Sequence, residues 1–240
     1  MTIVSPYGLT PFSTCRVCGA EMADGSRSLR QCQGCADAAT LARMPLARRK
    51  LDRLTPARYR WATREAPELA ARVQPVSAIA RAFAARTSLS LVLSGPAGAG
   101  KTALARAVWF ERALARIDCV RRDDFIATWQ EEDSFHVRAL FATAHDLAKA
   151  RREHRLGDGE APLVDDAMTV DLLLLDELGA DSTRGDDAVG EVVHQRHAHE
   201  RPTIYTTAFS LDELAERHGD GVARRVFEGA TVITLGSVKR

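Results

Sequence analysis

No apolar run in this 240-residue chain approaches the roughly 20 residues that a helix needs to cross a bilayer. A membrane partner is therefore not expected. A dominant charge is lacking too. Against 33 Lys and Arg stand 32 Asp and Glu, a formal net charge of +1, so any nucleic-acid surface has to be local. Met1–Pro11 has neither the basic start nor the long apolar stretch of a signal peptide. The expected compartment is the cytoplasm, where cysteines stay reduced. Internal repeats, coiled-coil heptads and low-complexity tracts are missing as well. What remains is an ordinary globular composition, 45% hydrophobic, long enough for one full-sized domain and a small extra one.

The chain is organised around Gly95–Thr102, Gly-Pro-Ala-Gly-Ala-Gly-Lys-Thr, which fits the P-loop pattern. A triphosphate carries closely spaced negative charges, and its host loop needs bare, converging backbone N–H groups. The candidate cradle is Gly95, Pro96, Ala97, Gly98, Ala99, Gly100, Lys101, Thr102 and Ala103. Lys101 is expected to reach the β- and γ-phosphate oxygens, and the Thr102 hydroxyl to hold Mg²⁺. The N-terminus of the following helix adds its positive dipole end. The context agrees: Leu89–Ser94 reads as a short buried strand, and Leu104, Ala107, Val108 and Leu114 recur at helical spacing.

Leu172–Glu177, Leu-Leu-Leu-Leu-Asp-Glu, reads as a strand buried on both faces. Two carboxylates follow at its C-terminal end, where ligands of open α/β sheets bind. Asp176 is expected to complete the Mg²⁺ shell, and Glu177 to orient and deprotonate the attacking water.

Cys15, Cys18, Cys32 and Cys35 form two C-x-x-C pairs. Four thiolates suit a closed, tetrahedral Zn²⁺ site of the structural type. Disulfides, disfavoured by the compartment, and free redox thiols are the alternatives. Cys119 stands apart and reads as a small hydrophobe.

In Leu41–Arg64 arginines interleave with Tyr59 and Trp61. That pattern suits single-stranded nucleic acid, charge for phosphates and rings for bases. It equally suits a solvated helix and linker with Trp61 packed on the core. Further along, the expectations are a helix over Pro75–Arg86, a charged insertion at Asp118–Phe135, a strand over Val137–Ala144 and a helix from His145 to Arg155. A loop over Leu156–Asp166 and a mostly helical Gly185–Glu200 come next. His194, His197 and His199 in that segment favour an exposed polar face over a metal site, because no carboxylate or cysteine frames them. Pro202–Phe209 reads as a strand, Ser210 and Glu213 as a capping box, and Thr231–Leu235 as a last strand.

Taken in order, the P-loop, Leu-Leu-Leu-Leu-Asp-Glu-Leu-Gly, Arg-Pro-Thr-Ile-Tyr-Thr-Thr and Ala-Arg-Arg-Val-Phe-Glu-Gly resemble the DnaC/IstB group of AAA+ ATPases. The likeness runs from about Arg58 to Arg240. A four-cysteine zinc module ahead of such a core is similar to the DnaI-type helicase loaders. The resemblance implies an α/β AAA+ core, a parallel sheet flanked by helices with no C-terminal lid. The implied division is a zinc module over 1–40, a basic helical connector over 41–74 and the ATPase domain over 75–240. It implies an ATPase that assembles as a homo-oligomer in the ATP state on single-stranded DNA and holds a replicative helicase. In the family a strand ends in Thr-Ser-Asn. Here the triplet is Thr206-Thr207-Ala208, which leaves Thr207 to replace the asparagine. The family's Ser-Arg motif falls on Arg224-Arg225, which implies Arg225 as an arginine finger acting on a neighbour's ATP. Two other readings share this core: an IstB-like transposition helper on duplex DNA, and an ATP-gated adaptor with little hydrolysis.

Overall fold

A computed structural model of the chain describes residues 44–85, 89–119, 138–155, 157–180 and 187–237. The four cysteines of the expected zinc module and nearly all of the charged insertion lie outside them.

The apolar runs become a five-stranded sheet in the order β2-β3-β4-β1-β5, with every pair parallel. The strands are β1 (Ser90–Ser94), β2 (Ala139–Thr143), β3 (Leu172–Leu178), β4 (Thr203–Thr207) and β5 (Thr231–Thr234). Parallel strands need crossovers, and helices supply them. Residues 44–53 are helical (α1), followed by a 3-10 turn at Ala57–Tyr59, α2 (Pro67–Arg72) and α3 (Ser77–Ala84) ahead of β1. Between strands run α4 (Lys101–Cys119), α5 (Ala144–Glu153), α6 (Pro162–Thr169), α7 (Ala188–Ala198), α8 (Leu211–His218) and α9 (Asp220–Phe227).

Strand alternation divides the core in two. Leu91, Leu93, Leu172, Leu174, Ile204 and Ile233 face a layer built from α1, α3 and α4. Val92, Leu173, Leu175 and Tyr205 face the layer of α5 to α9. All four leucines of Leu172–Leu175 are fully buried, each contributing about 1.5–3 kcal/mol relative to exposure. Trp109 anchors the first layer, edge-on to Phe141 with ring centroids 6.5 Å apart.

One expectation changes. Leu156–Asp166 does not run as a loop throughout, because Pro162 starts α6 at a position where its missing N–H costs nothing. Val164 and Ala167 of α6 are buried, and that burial sets it against the sheet. Residues 44–73 pack on the same core as the sheet. Ala47, Leu51, Ala62, Leu69 and Val73 belong to the same buried cluster as β1 and α4. Tyr59 and Trp61 pack against that cluster, which favours the core-packing reading of those rings. The capping box expected at Ser210 and Glu213 forms. The Ser210 hydroxyl accepts from Glu213 N while Glu213 accepts from Ser210 N, and Thr143 and Asp146 make the same reciprocal box on α5.

Candidate active site

β1 and β3 are separated in the sheet by β4, and the residues expected to act together lie at the C-terminal ends of these strands. β1 ends at Ser94 and the loop Gly95–Gly100 turns directly into α4. Two glycines in it have different jobs. Gly100 (φ +84°) lies so close to the α2 end that a Cβ would stand 2.8 Å from Arg72 O. Gly98 (φ +80°) has nothing within 4 Å of where its Cβ would be. The loop is therefore packed from below at Gly100 and open above Gly98, the shape that a phosphate cradle requires.

Lys101 folds back over this loop, donating from Nζ to Gly95 O at 2.7 Å and to Pro96 O at 2.9 Å. Burial lowers its pKa, and the charges of Asp176 and Glu177 oppose that shift. Thr102, one residue on, donates from Oγ1 to Asp176 Oδ1 at 2.9 Å. Asp176 is only 3% exposed. Burial raises its carboxyl above the usual range, against hydrogen bonds from Thr206 and Thr102 that favour the ionised form. A hydroxyl and a buried carboxylate side by side are hard oxygen donors of the kind that hold Mg²⁺, and their environment disfavours a bare negative charge. The residues fit a Mg²⁺·nucleotide: an open cradle, an ammonium beside it and an oxygen pair at its edge.

Glu177 follows in a left-handed backbone conformation (φ 57°) and is exposed, unlike its neighbours in β3. The register of β3 on β4 shifts between Leu175 and Leu178. That irregularity turns the Glu177 side chain out of the sheet at the end where Lys101 and Thr102 sit. A residue with a Cβ held at positive φ costs about 1–2 kcal/mol, and such strain concentrates at functional positions.

Thr207 does not face this group. Its buried hydroxyl donates to Leu178 O at 2.8 Å and accepts from Phe209 N at 3.0 Å. Thr206, which the sequence reading passed over, is the residue beside the carboxylates. Its hydroxyl donates to Asp176 Oδ1 and accepts from Glu177 N at 3.0 Å. Strand parity carries the signal for this. Leu172, Leu174 and Ile204 face the α4 layer, so Asp176 and Thr206 continue that face and Thr207 continues the opposite one.

Arg225 lies on α9, partly exposed, and donates to Gly221 O at 2.8 Å within its own helix. His194 and His199 are exposed on or beside α7, and His197 Nε2 comes within 3.9 Å of Glu228. Among the described residues no group of three or more His, Cys, Asp or Glu could hold a metal ion. The thiolate site expected at Cys15, Cys18, Cys32 and Cys35 falls outside them.

No family model matches the chain, and no curated protein matches it in sequence. Solved structures do. The crystal structure of the DnaC helicase loader superposes with a TM-score of 0.52 at 20% identity, over 75% of this chain and 99% of that one. The crystal structure of DnaI gives 0.48 at 23% identity, over 69% and 85%. AMPPCP-bound DnaA from Aquifex aeolicus gives 0.47 at 21% identity over 67% of this chain, which spans 45% of that protein's length. The fold is an α/β core like that of the DnaC helicase loader's structure, a five-stranded parallel sheet flanked by helices.

Proposed function

We propose that this protein is an ATPase that works as a helicase loader in DNA replication, gripping single-stranded DNA as an ATP-dependent homo-oligomer. The observation that supports it most is the convergence of Lys101, Thr102, Asp176 and Glu177 at one end of the sheet, with Thr102 hydrogen-bonded to Asp176 across the chain. The DnaC-like fold supports the loader role over other uses of such a site.

ATP with Mg²⁺ supplies the transferable phosphoryl group and the charge neutralisation that its departure needs. The loop from Gly95 to Gly100 presents backbone N–H groups to phosphate oxygens. Lys101, held by Gly95 O and Pro96 O without a ligand, would turn to those phosphate oxygens. Thr102 and Asp176 would hold the cation. Glu177 accepts a proton from a water molecule. Arg225, on the partly exposed α9, reaches the site of the next subunit and favours the assembled state. Cys15, Cys18, Cys32 and Cys35 bind a structural Zn²⁺ in the module that holds the helicase.

The test has two arms. Glu177→Gln should retain nucleotide and lose turnover by about 10²- to 10⁴-fold, while Lys101→Ala should lose nucleotide. The purified protein should retain its host's replicative helicase on a column with ATP, and deletion of residues 1–40 should abolish that. Assembly on duplex DNA with no helicase binding would replace the loader with a transposition helper. One observation favours a second reading, the ATP-gated adaptor: the Thr207 hydroxyl is committed to the backbone and Ala208 stands where the family has asparagine. Equal, low turnover by wild type and Glu177→Gln would establish it.

A further inference from the structure

The end of β3 is stitched to β4 and α8 by side chains. Thr207 holds Leu178 O, Arg217 donates to Gly179 O at 2.9 Å, and Ala180 N closes a turn onto Glu177 O at 2.9 Å. These bonds fix the chain after Glu177. Among the described residues, Thr206 alone bonds through its side chain to both Glu177 and the residue before it. The ladder to β4 breaks between Leu175 and Leu178, so Glu177 N–H has no regular strand position there. The Thr206 hydroxyl accepts it instead, at 3.0 Å.

A hydroxyl has one proton to give. The Thr206 proton goes to Asp176 Oδ1, which leaves its lone pairs to the Glu177 amide and fixes the direction of both bonds. Thr206 is fully buried, so water does not compete for either. Glu177 meanwhile sits at φ 57°, a conformation that persists only where surroundings over-determine it.

We infer that Thr206 is the positioning residue of the site: its hydroxyl locks the Glu177 backbone to the Asp176 carboxylate and so aims the Glu177 side chain at the water it deprotonates. Thr206 touches neither nucleotide nor water in this role. The inference rests on the hydrolytic reading of Glu177, and it makes the metal-holding and proton-accepting carboxylates one unit.

Thr206→Val keeps the shape and removes both bonds, and Thr206→Ser keeps both bonds. In the full-length protein, Thr206→Val should lower kcat by about 10- to 100-fold while KM and the Kd for a fluorescent ATP analogue stay within about threefold. Thr206→Ser should stay within about threefold of wild type in all of them. Amide hydrogen exchange supplies a readout without turnover. The Glu177 amide should be protected in wild type and Thr206→Ser, and exchange at least about tenfold faster in Thr206→Val. An unchanged kcat in Thr206→Val would overturn the inference, as would a loss shared equally by nucleotide affinity. An unprotected Glu177 amide in wild type would overturn it whether or not the valine variant folds. If wild type binds ATP and never hydrolyses it, the hydrolytic reading fails by itself, and Glu177 exchange still decides whether Thr206 holds that residue.

Discussion

Replacing Gly98 or Gly100 by alanine separates what the loop does for the fold from what it does for a ligand. Both glycines have positive φ, +80° and +84°, so either alanine bears about 1–2 kcal/mol of conformational strain. Only Gly100 meets a neighbour. Its Cβ would lie 2.8 Å from Arg72 O and 3.0 Å from Val73 Cγ2, backbone and buried side chain that cannot swing away. Forcing an atom into such a contact adds about 1–3 kcal/mol, so Gly100→Ala should cost about 2–5 kcal/mol in total. At this chain length each kcal/mol lowers Tm by about 2–4 °C. Gly98→Ala should thus melt a few degrees low, and Gly100→Ala further down by clearly more. Nucleotide affinity should invert the order for the folded proteins. The Gly98 Cβ enters the open space above the loop, and should weaken ATP-analogue binding by about tenfold or more, roughly 1.4 kcal/mol. Thermal melts and an equilibrium titration read the two quantities. Equal losses of Tm would refute the packing argument, and wild-type affinity in Gly98→Ala would refute the cradle.

Other sites make separate demands. Trp109 is fully buried and its Nε1 has no hydrogen-bond partner among the described residues; Trp109→Ala should cost about 3–5 kcal/mol in urea unfolding, whereas Trp109→Phe should fall within about 1 kcal/mol, because it removes an unpaired donor along with volume. Arg106, fully buried in α4, bonds the half-exposed Asp52 and donates to Ala62 O at 2.8 Å; Asp52→Ala should cost about 1–3 kcal/mol, and Arg106→Met made in that background should recover a large part of it. The Arg151 hydrogen bond chiefly holds the Glu160 carboxyl below the usual range. Its contribution is therefore full above the unfolded-state value of about 4.3 and is lost as pH falls through the lower folded value. Wild type should exceed Glu160→Gln by no more than about 1 kcal/mol at pH 6, with the curves converging on acidification; a gap that widens below pH 4 would be the wrong sign.

The glycine loop and the strands were legible because their causes are local. The glycines of Gly95–Gly100 mark a turn between a strand and a helix, and an unbroken run such as Leu172–Leu175 has to be covered on both faces. Thr206 was misread in favour of Thr207 because family spacing counts residues from a motif, while the face a residue presents depends on register against β3. The parity of Ile204 with Leu174 was available and points the other way. Helix α6 was lost to its own composition: Gly157, Gly159 and Pro162 read as loop, and only the burial of Val164 and Ala167 on the sheet makes the last of them a helix start.

Arginine beside aromatic is ambiguous in sequence for a physical reason: the same guanidinium-on-ring contact closes a core and grips a base. In the connector the rings turn inward. Tyr59 stacks on Phe141 with centroids 6.5 Å apart, and Trp61 Nε1 donates to Arg58 O at 2.8 Å. Arg58 covers the Tyr59 ring at 4.8 Å and Arg72 the Trp61 ring at 4.7 Å. The outward edges of these exposed arginines retain charge, while the ring faces are taken. Single-stranded DNA held here should therefore be held by phosphate contacts, with log K falling against log salt by about 0.7 for each phosphate neutralised. Arg58→Gln should flatten that slope by about one contact, and Trp61→Leu, which keeps apolar cover, should leave affinity within about twofold. Base stacking by Trp61 would instead cost that variant about 1–3 kcal/mol of DNA affinity, with a preference among homopolymers that vanishes in the mutant.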